Sequence, residues 1–174
     1  MSELPAVTPE YFQILVVREL RKAGLDVGEP RIHRRSELPE PHRGFVLELA
    51  VSLTPGVGGR GVWRKRALLA CYRQDHAVGQ EIVTELPSRV ARAKADVGVI
   101  AATADFEVDA VAAAQQVGIV LLQVVDARKT YDLSGWGTPG HYPAWLPAHG
   151  LQLVGRNSDG TSGLRALEAG AFEG

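Results

Sequence analysis

Cysteine is almost missing from these 174 residues: Cys71 stands alone, so an intramolecular disulfide is excluded and the usage fits a reducing compartment. An excess of one charge is missing too. Lys and Arg number 19 against 20 Asp and Glu, a formal net charge of −1. No global field therefore draws the chain to nucleic acid or to an anionic membrane, although a local basic patch remains compatible with that balance. Long apolar runs are absent as well. The longest, GIVLLQVV, falls far short of the roughly 20 residues that a membrane-spanning helix needs. The opening MSELPAVTPE has neither a positive n-region nor an apolar h-region, so no signal peptide and a cytoplasmic location are expected. Finally, His33, His42, His76, His141 and His149 are scattered, with no H-x-x-x-H or C-x-x-C spacing. A zinc site is not expected.

What is present is ordinary globular material. A hydrophobic content of 45% and a charged content of 22% in this length suit one domain with a real core. A helix is predicted in TPEYFQILVVRELRKAGL, with Thr8 as cap, Pro9 at its first position and Gly24 as stop. Phe12, Leu15, Val16, Leu20 and Ala23 form its apolar stripe. DVGEPRIHRRSELPEPHRG then reads mostly as loop, with one short strand near Arg31 to Arg34.

FVLELAVSL alternates as a strand, with Phe45, Leu47, Leu49, Val51 and Leu53 on one face and Val46, Glu48, Ala50 and Ser52 on the other. A turn, TPGVGGRG, and a second strand, WRKRALLACYR, complete an antiparallel hairpin. Residues 79–95 are predicted helical, with Pro87 kinking the helix or breaking it in two. The strand VGVIAAT, the helix DFEVDAVAAAQQV ending at Gly118, and the strand GIVLLQVV form a parallel, right-handed crossover. The expected class is α/β, a mixed central sheet flanked by helices over residues 9–133. Residues 134–174 are expected to be an irregular Gly/Pro/aromatic extension, packed through Trp136, Tyr142 and Trp145 and then fraying.

Several residues invite chemistry. Gly56, Gly58 and Gly61 have the G-x-G-x-x-G spacing, but they join two strands rather than a strand and a helix, so a flexible turn is expected. Cys71, mid-strand among apolar residues, reads as a buried structural thiol. Trp63, Arg64, Lys65 and Arg66, with Arg73 across the strand, are the densest basic feature: a phosphate grip or a solvated strand start. Glu48 interrupts an apolar strand, where an unpaired carboxylate is costly. Either its face opens to solvent or a cation, or it pairs with a base such as Arg73.

YFQILVVRELRKAGL, FVLELAVSL, ALLACYRQDHAVGQEIV and ADVGVIAATADFEVDAVAAAQQVGIVLL together resemble the Mrr-type restriction endonuclease domain of the PD-(D/E)xK nuclease superfamily. The resemblance covers residues 9–126 and is most specific in VGVIAATADF, similar to the family's G-V-x-V-T-T-x-x-F. It implies a restriction-endonuclease-like fold and, where the motif is intact, Mg²⁺-dependent DNA cleavage. The helix acid, two strand acids and a lysine two residues past the second acid would carry that chemistry. Side chains at i and i+2 share one strand face, so both reach one metal-bound phosphate.

Here the helix acid falls at Gln13, the first strand acid at Glu48, and the (E/Q)-C-K triplet on Ala70, Cys71 and Tyr72, with Arg73 matching the residue after it. The resemblance therefore implies a catalytically degenerate protein that binds DNA through Arg64, Lys65, Arg66 and Arg73, or a protein through its C-terminal segment. On that reading no cofactor is expected; Glu48 is the residual catalytic position and the metal ligand, if there is one. The alternative is an active Mg²⁺-dependent endonuclease whose site has migrated to include Glu81 and Glu85, one turn apart on the next helix, with Lys65 or Arg73 supplying the positive charge.

Overall fold

Thr8 accepts a hydrogen bond from the Tyr11 N–H at 3.1 Å, and with Pro9 behind it this starts α1, Pro9–Lys22. The computed structural model describes residues 8–34, 44–56, 62–128 and 149–172. Seven strands lie in simple sequence order: β1 (Leu25–Arg34), β2 (Phe45–Pro55), β3 (Lys65–Tyr72), β4 (Val97–Ala102), β5 (Ile119–Asp126), β6 (His149–Arg156) and β7 (Ser162–Ala166). The pairs β3/β4 and β4/β5 are parallel and the other four are antiparallel. Helices α2 (Gln80–Arg92) and α3 (Val108–Val117) make the two crossovers. The predicted hairpin and parallel unit are both present, and Gly118 ends α3 with φ 73°. No described helix is long and apolar enough to cross a membrane.

Two cores sandwich the sheet. On one face α1 buries Phe12, Leu15, Val16 and Leu20 against Leu47, Leu49, Val51, Leu69 and Cys71. On the other, α2 and α3 bury Ile82, Val83, Leu86, Ala110 and Ala114 against Leu68, Ala70, Tyr72, Ile100 and Leu121. Every residue of β4 is buried, as parallel strands covered on both sides require. Gly98 allows the helix to come close, since a Cβ there would lie 2.6 Å from Ile119 Cδ1 and 2.8 Å from Val90 Cγ2.

Four expectations are corrected. First, β1 is ten residues long, because the register shifts between Gly28 and Arg31 and the bulge, with Glu29 at φ 50°, lets Pro30 sit in an edge strand. Second, Phe45 packs in the α2/α3 core rather than with Leu47, because the β2/β3 register shifts between those two residues and inverts the alternation. Third, α2 runs unbroken through Pro87. Burial of Ile82, Val83 and Leu86 before the proline, with Val90 packing after it, outweighs a lost helical hydrogen bond and its steric cost of about 3 kcal/mol.

The fourth correction concerns the C-terminus. Residues 149–166 are a hairpin added to the sheet, and Phe172 in the following 3₁₀ turn is fully buried in the α1-side core. Leu151 and Leu153 supply the inward alternation, and Asn157 to Thr161 close the turn, with Gly160 at φ 88°. Trp136, Tyr142 and Trp145 lie outside the described residues.

The hairpin is tied to α1. Buried Glu19 accepts a hydrogen bond from Leu151 N–H at 3.0 Å, and Arg18 donates to the His149 carbonyl at 2.6 Å. Removing the carboxylate leaves a buried N–H unpaired. Glu19→Ala is therefore expected to cost about 2–3 kcal/mol and Glu19→Gln, which keeps an acceptor, about 1 kcal/mol or less. Urea denaturation measures both; equal losses would show that the hydrogen bond is not what holds the hairpin.

Candidate functional site

Register decides what meets on the sheet. Glu48 on β2 lies directly opposite Ala70 on β3, and Tyr72 follows on the same face two residues further along. Glu48 is only 7% exposed. The charge that answers it comes from the last turn of α2: the Arg89 guanidinium is ion-paired with the Glu48 carboxylate. The two side chains are 15% and 9% exposed, so this is a buried pair rather than a surface one. Phe45 and Tyr72 complete the pocket. The Arg89 Cζ sits 5.4 Å from the Phe45 ring centroid, and the two rings meet edge to face at 5.6 Å.

The electrostatics follow from that burial. Desolvation and the neighbouring Arg92 charge pull Arg89 below the ordinary guanidinium value. The adjacent carboxylate opposes that pull, and a guanidinium starts so high that it stays charged. Burial, and then the charge of Glu85, push the Tyr72 phenol upward, so it stays neutral. Burial alone does the same to the Cys71 thiol, which faces the α1-side core. It is the buried structural thiol that its apolar surroundings suggest.

The expected partner of Glu48 was Arg73; the observed one is Arg89. Arg73 is exposed beyond the end of β3, its N–H bonded to the Gly44 carbonyl at 2.8 Å. Of the two helix acids, half-buried Glu85 stands close enough to Tyr72 to act on its phenol. Glu81 folds back over the start of α2 instead, where a Cβ on Gly79 would lie 2.6 Å from its carboxylate. Among the described residues, no group of three or more His, Cys, Asp and Glu side chains is gathered as a metal ion requires.

Strand alternation also divides the basic run. Arg66 faces the α2 side opposite Ser52, and Arg64 donates to the Ser52 hydroxyl at 2.9 Å. Both pair with Glu29, at 3.2 Å and 3.6 Å. Lys65 is opposite Leu53 and so faces the α1 side. Arg73 is eight residues further along, about 26 Å at the usual rise. The four cations do not form one patch.

Arg89 was missed because the pair joins elements far apart in the chain. The local signal was a basic residue four positions after Glu85, in a helix already carrying Glu81 at the same spacing.

A central sheet of mixed direction, with one helix on one face and two crossover helices on the other, defines an α/β fold of the restriction-endonuclease kind. Residues 4–129 match the family model of the Mrr catalytic domain, described as restriction endonuclease, and the chain belongs to that family. No curated protein and no solved structure matches. The hairpin β6–β7 lies beyond the matched residues.

Two measurements test this geometry. Arg89→Met, which strands a buried carboxylate, is expected to cost about 3–5 kcal/mol, whereas combining it with Glu48→Leu costs far less. Guanidinium denaturation of the four proteins in that cycle gives the coupling directly. Cys71 is expected to react with a thiol reagent only after denaturant is added; labelling of the native protein at the rate of a free thiol contradicts its burial.

Proposed function

We propose that this protein has kept the nuclease fold and given up its chemistry, and that it acts as a DNA-binding module in the cytoplasm. One observation supports this more than any other: the strand carboxylate that would serve a divalent cation is matched to an internal guanidinium. The surrounding donor set agrees. Mg²⁺ asks for several oxygen ligands in near-octahedral order. Beside Glu48 stand the methyl group of Ala70, the neutral phenol of Tyr72 and the Phe45 ring. The residues present do not fit the metal, and no catalytic step is routed through it. Nor does Tyr72 offer the ammonium charge that stabilises a phosphoryl transition state.

A second reading keeps the enzyme alive. In a migrated site, Glu48 and Glu85 would hold Mg²⁺ together, with a neighbouring cation assisting. Glu85 stands one turn before Arg89 on α2, on the side of the helix that meets Glu48, and this favours it. It requires Arg89 to leave its carboxylate, an uphill step for a buried pair.

Supercoiled plasmid with Mg²⁺ or Mn²⁺, beside a low-salt gel shift, separates the two. The expected outcome is a shift that fades steeply as salt rises, with no nicking. Nicking that is lost in both Glu48→Ala and Glu85→Ala establishes the migrated site and overturns the proposal. No shift at any salt concentration overturns the DNA-binding half of it.

A further inference from the structure

The α2 side of the sheet is not covered to its edge. Helices α2 and α3 pack over β3, β4 and β5, and the last turn of α2 reaches Glu48 on β2, but among the described residues no β1 side chain joins the α2/α3 core. Register gives the side chains on this shelf, whose Ser52 and Glu48 are covered by Arg64 and Arg89. Ile32 packs into the α1-side core, so its neighbours Arg31 and His33 face the other way, opposite Ala50 and Glu48. Arg64 and Arg66 join them from the start of β3. From the helix side comes exposed Arg92, three residues after Arg89 on α2 and so on the same side of the helix as the guanidinium that reaches β2.

The charge balance is positive. Arg64 and Arg66 share the carboxylate of Glu29, and that of Asp96 accepts from the Arg66 backbone N–H at 2.8 Å. Glu48 on the floor is matched by Arg89. Arg31 and Arg92 add charge to that account, and both are exposed. Cations are thus concentrated on one shelf of a chain whose net charge is only −1.

We infer that this shelf between β1 and the C-terminal end of α2 is the surface that grips the phosphate backbone of duplex DNA, with Arg31, Arg64, Arg66 and Arg92 as its contacts. The inference rests on the DNA-binding reading and moves the interface away from the end of β3 where Arg73 stands. From strand spacing and rise, the Arg31 and Arg66 backbones lie about 12 Å apart, enough to meet phosphates of more than one nucleotide at ~3.4 Å of rise each.

The shelf also favours duplex over single strand. Single-strand sites stack bases on aromatic rings. Here the floor is Ala50 and Ser52; Trp63 packs into the opposite core, while Phe45 and Tyr72 are buried. A protein interface of this size would place a buried apolar anchor at its centre, and this floor offers none.

Fluorescence anisotropy with a labelled mixed-sequence duplex of about 20 base pairs tests the assignment across a salt series. Arg31→Ala combined with Arg92→Ala is expected to weaken binding about tenfold or more and to flatten the slope of log affinity against log salt by roughly 1.8, two contacts at about 0.9 each. Lysine at both positions restores the slope, because a phosphate contact needs charge rather than guanidinium shape. Arg21→Ala with Arg156→Ala removes the same charge elsewhere and leaves affinity within about twofold. If the wild type binds the duplex and the Arg31/Arg92 pair binds equally well, the shelf assignment is wrong while DNA binding stands. Absence of duplex binding by the wild type overturns both. An equally tight single strand of the same length overturns the preference for duplex.

Discussion

A carboxylate placed on the second strand of a sandwiched sheet has to be neutralised before the sheet can close over it. Glu48 is 7% exposed, and its lost hydration is worth several kcal/mol even after relaxation. Its surroundings are arranged around that need. α2 must run through Pro87 far enough to bring Arg89 over β2, and the bulge at the start of β2 must turn Phe45 inward to line the guanidinium. Ala70 leaves room opposite the carboxylate. The helix end, the bulge and the small residue are parts of one electrostatic solution.

The same period of two that buries Glu48 sorts its neighbours by role. Along β3, Ala70 and Tyr72 look toward the ion pair while Cys71 between them looks toward α1. At the strand's start, Arg64 and Arg66 share the α2 side and Lys65 does not. Consecutive letters that read as one basic run thus belong to two surfaces. Arg31 on the edge strand shares a face with Arg66 across β2, whereas Lys65, next to Arg66 in the chain, faces the other way.

Local rules carried most of the fold. The Thr8 cap, the alternation of β2 and the parallel β4–α3–β5 unit were legible because each is written within a single short stretch of the chain. Glu48 was legible as an anomaly for a related reason: one charge in an apolar strand violates a local pattern and must be answered. What escaped was non-local or masked by composition. The identity of the answering cation depends on where α2 crosses the sheet, which no window around residue 48 contains. β1 hid behind Pro30, whose missing N–H an edge bulge tolerates. Glycine-rich flanks concealed the short alternation of Leu151 and Leu153, so a sheet hairpin read as a tail.

The guanidinium satisfies the fold in a way that a metal ion would not, and this gives the proposed loss of chemistry a physical reason. Arg89 is tethered to α2, so the positive charge is present as soon as the helix docks and needs no ion from solution. A planar single charge spread over nitrogen donors, however, binds no water as a ligand and cannot lower its pKa toward neutrality as a catalytic metal does. It also has no open coordination position for a phosphate oxygen. Once Arg89 fills the pocket, an acid on β3 opposite Glu48 would have to be buried without a partner. Ala70 at the strand position is consistent with that constraint, which does not reach half-exposed Gln13 on α1 at the other face. The proposed phosphate contacts do not share that constraint, because binding a polyanion requires charge near solvent rather than a dry coordination site.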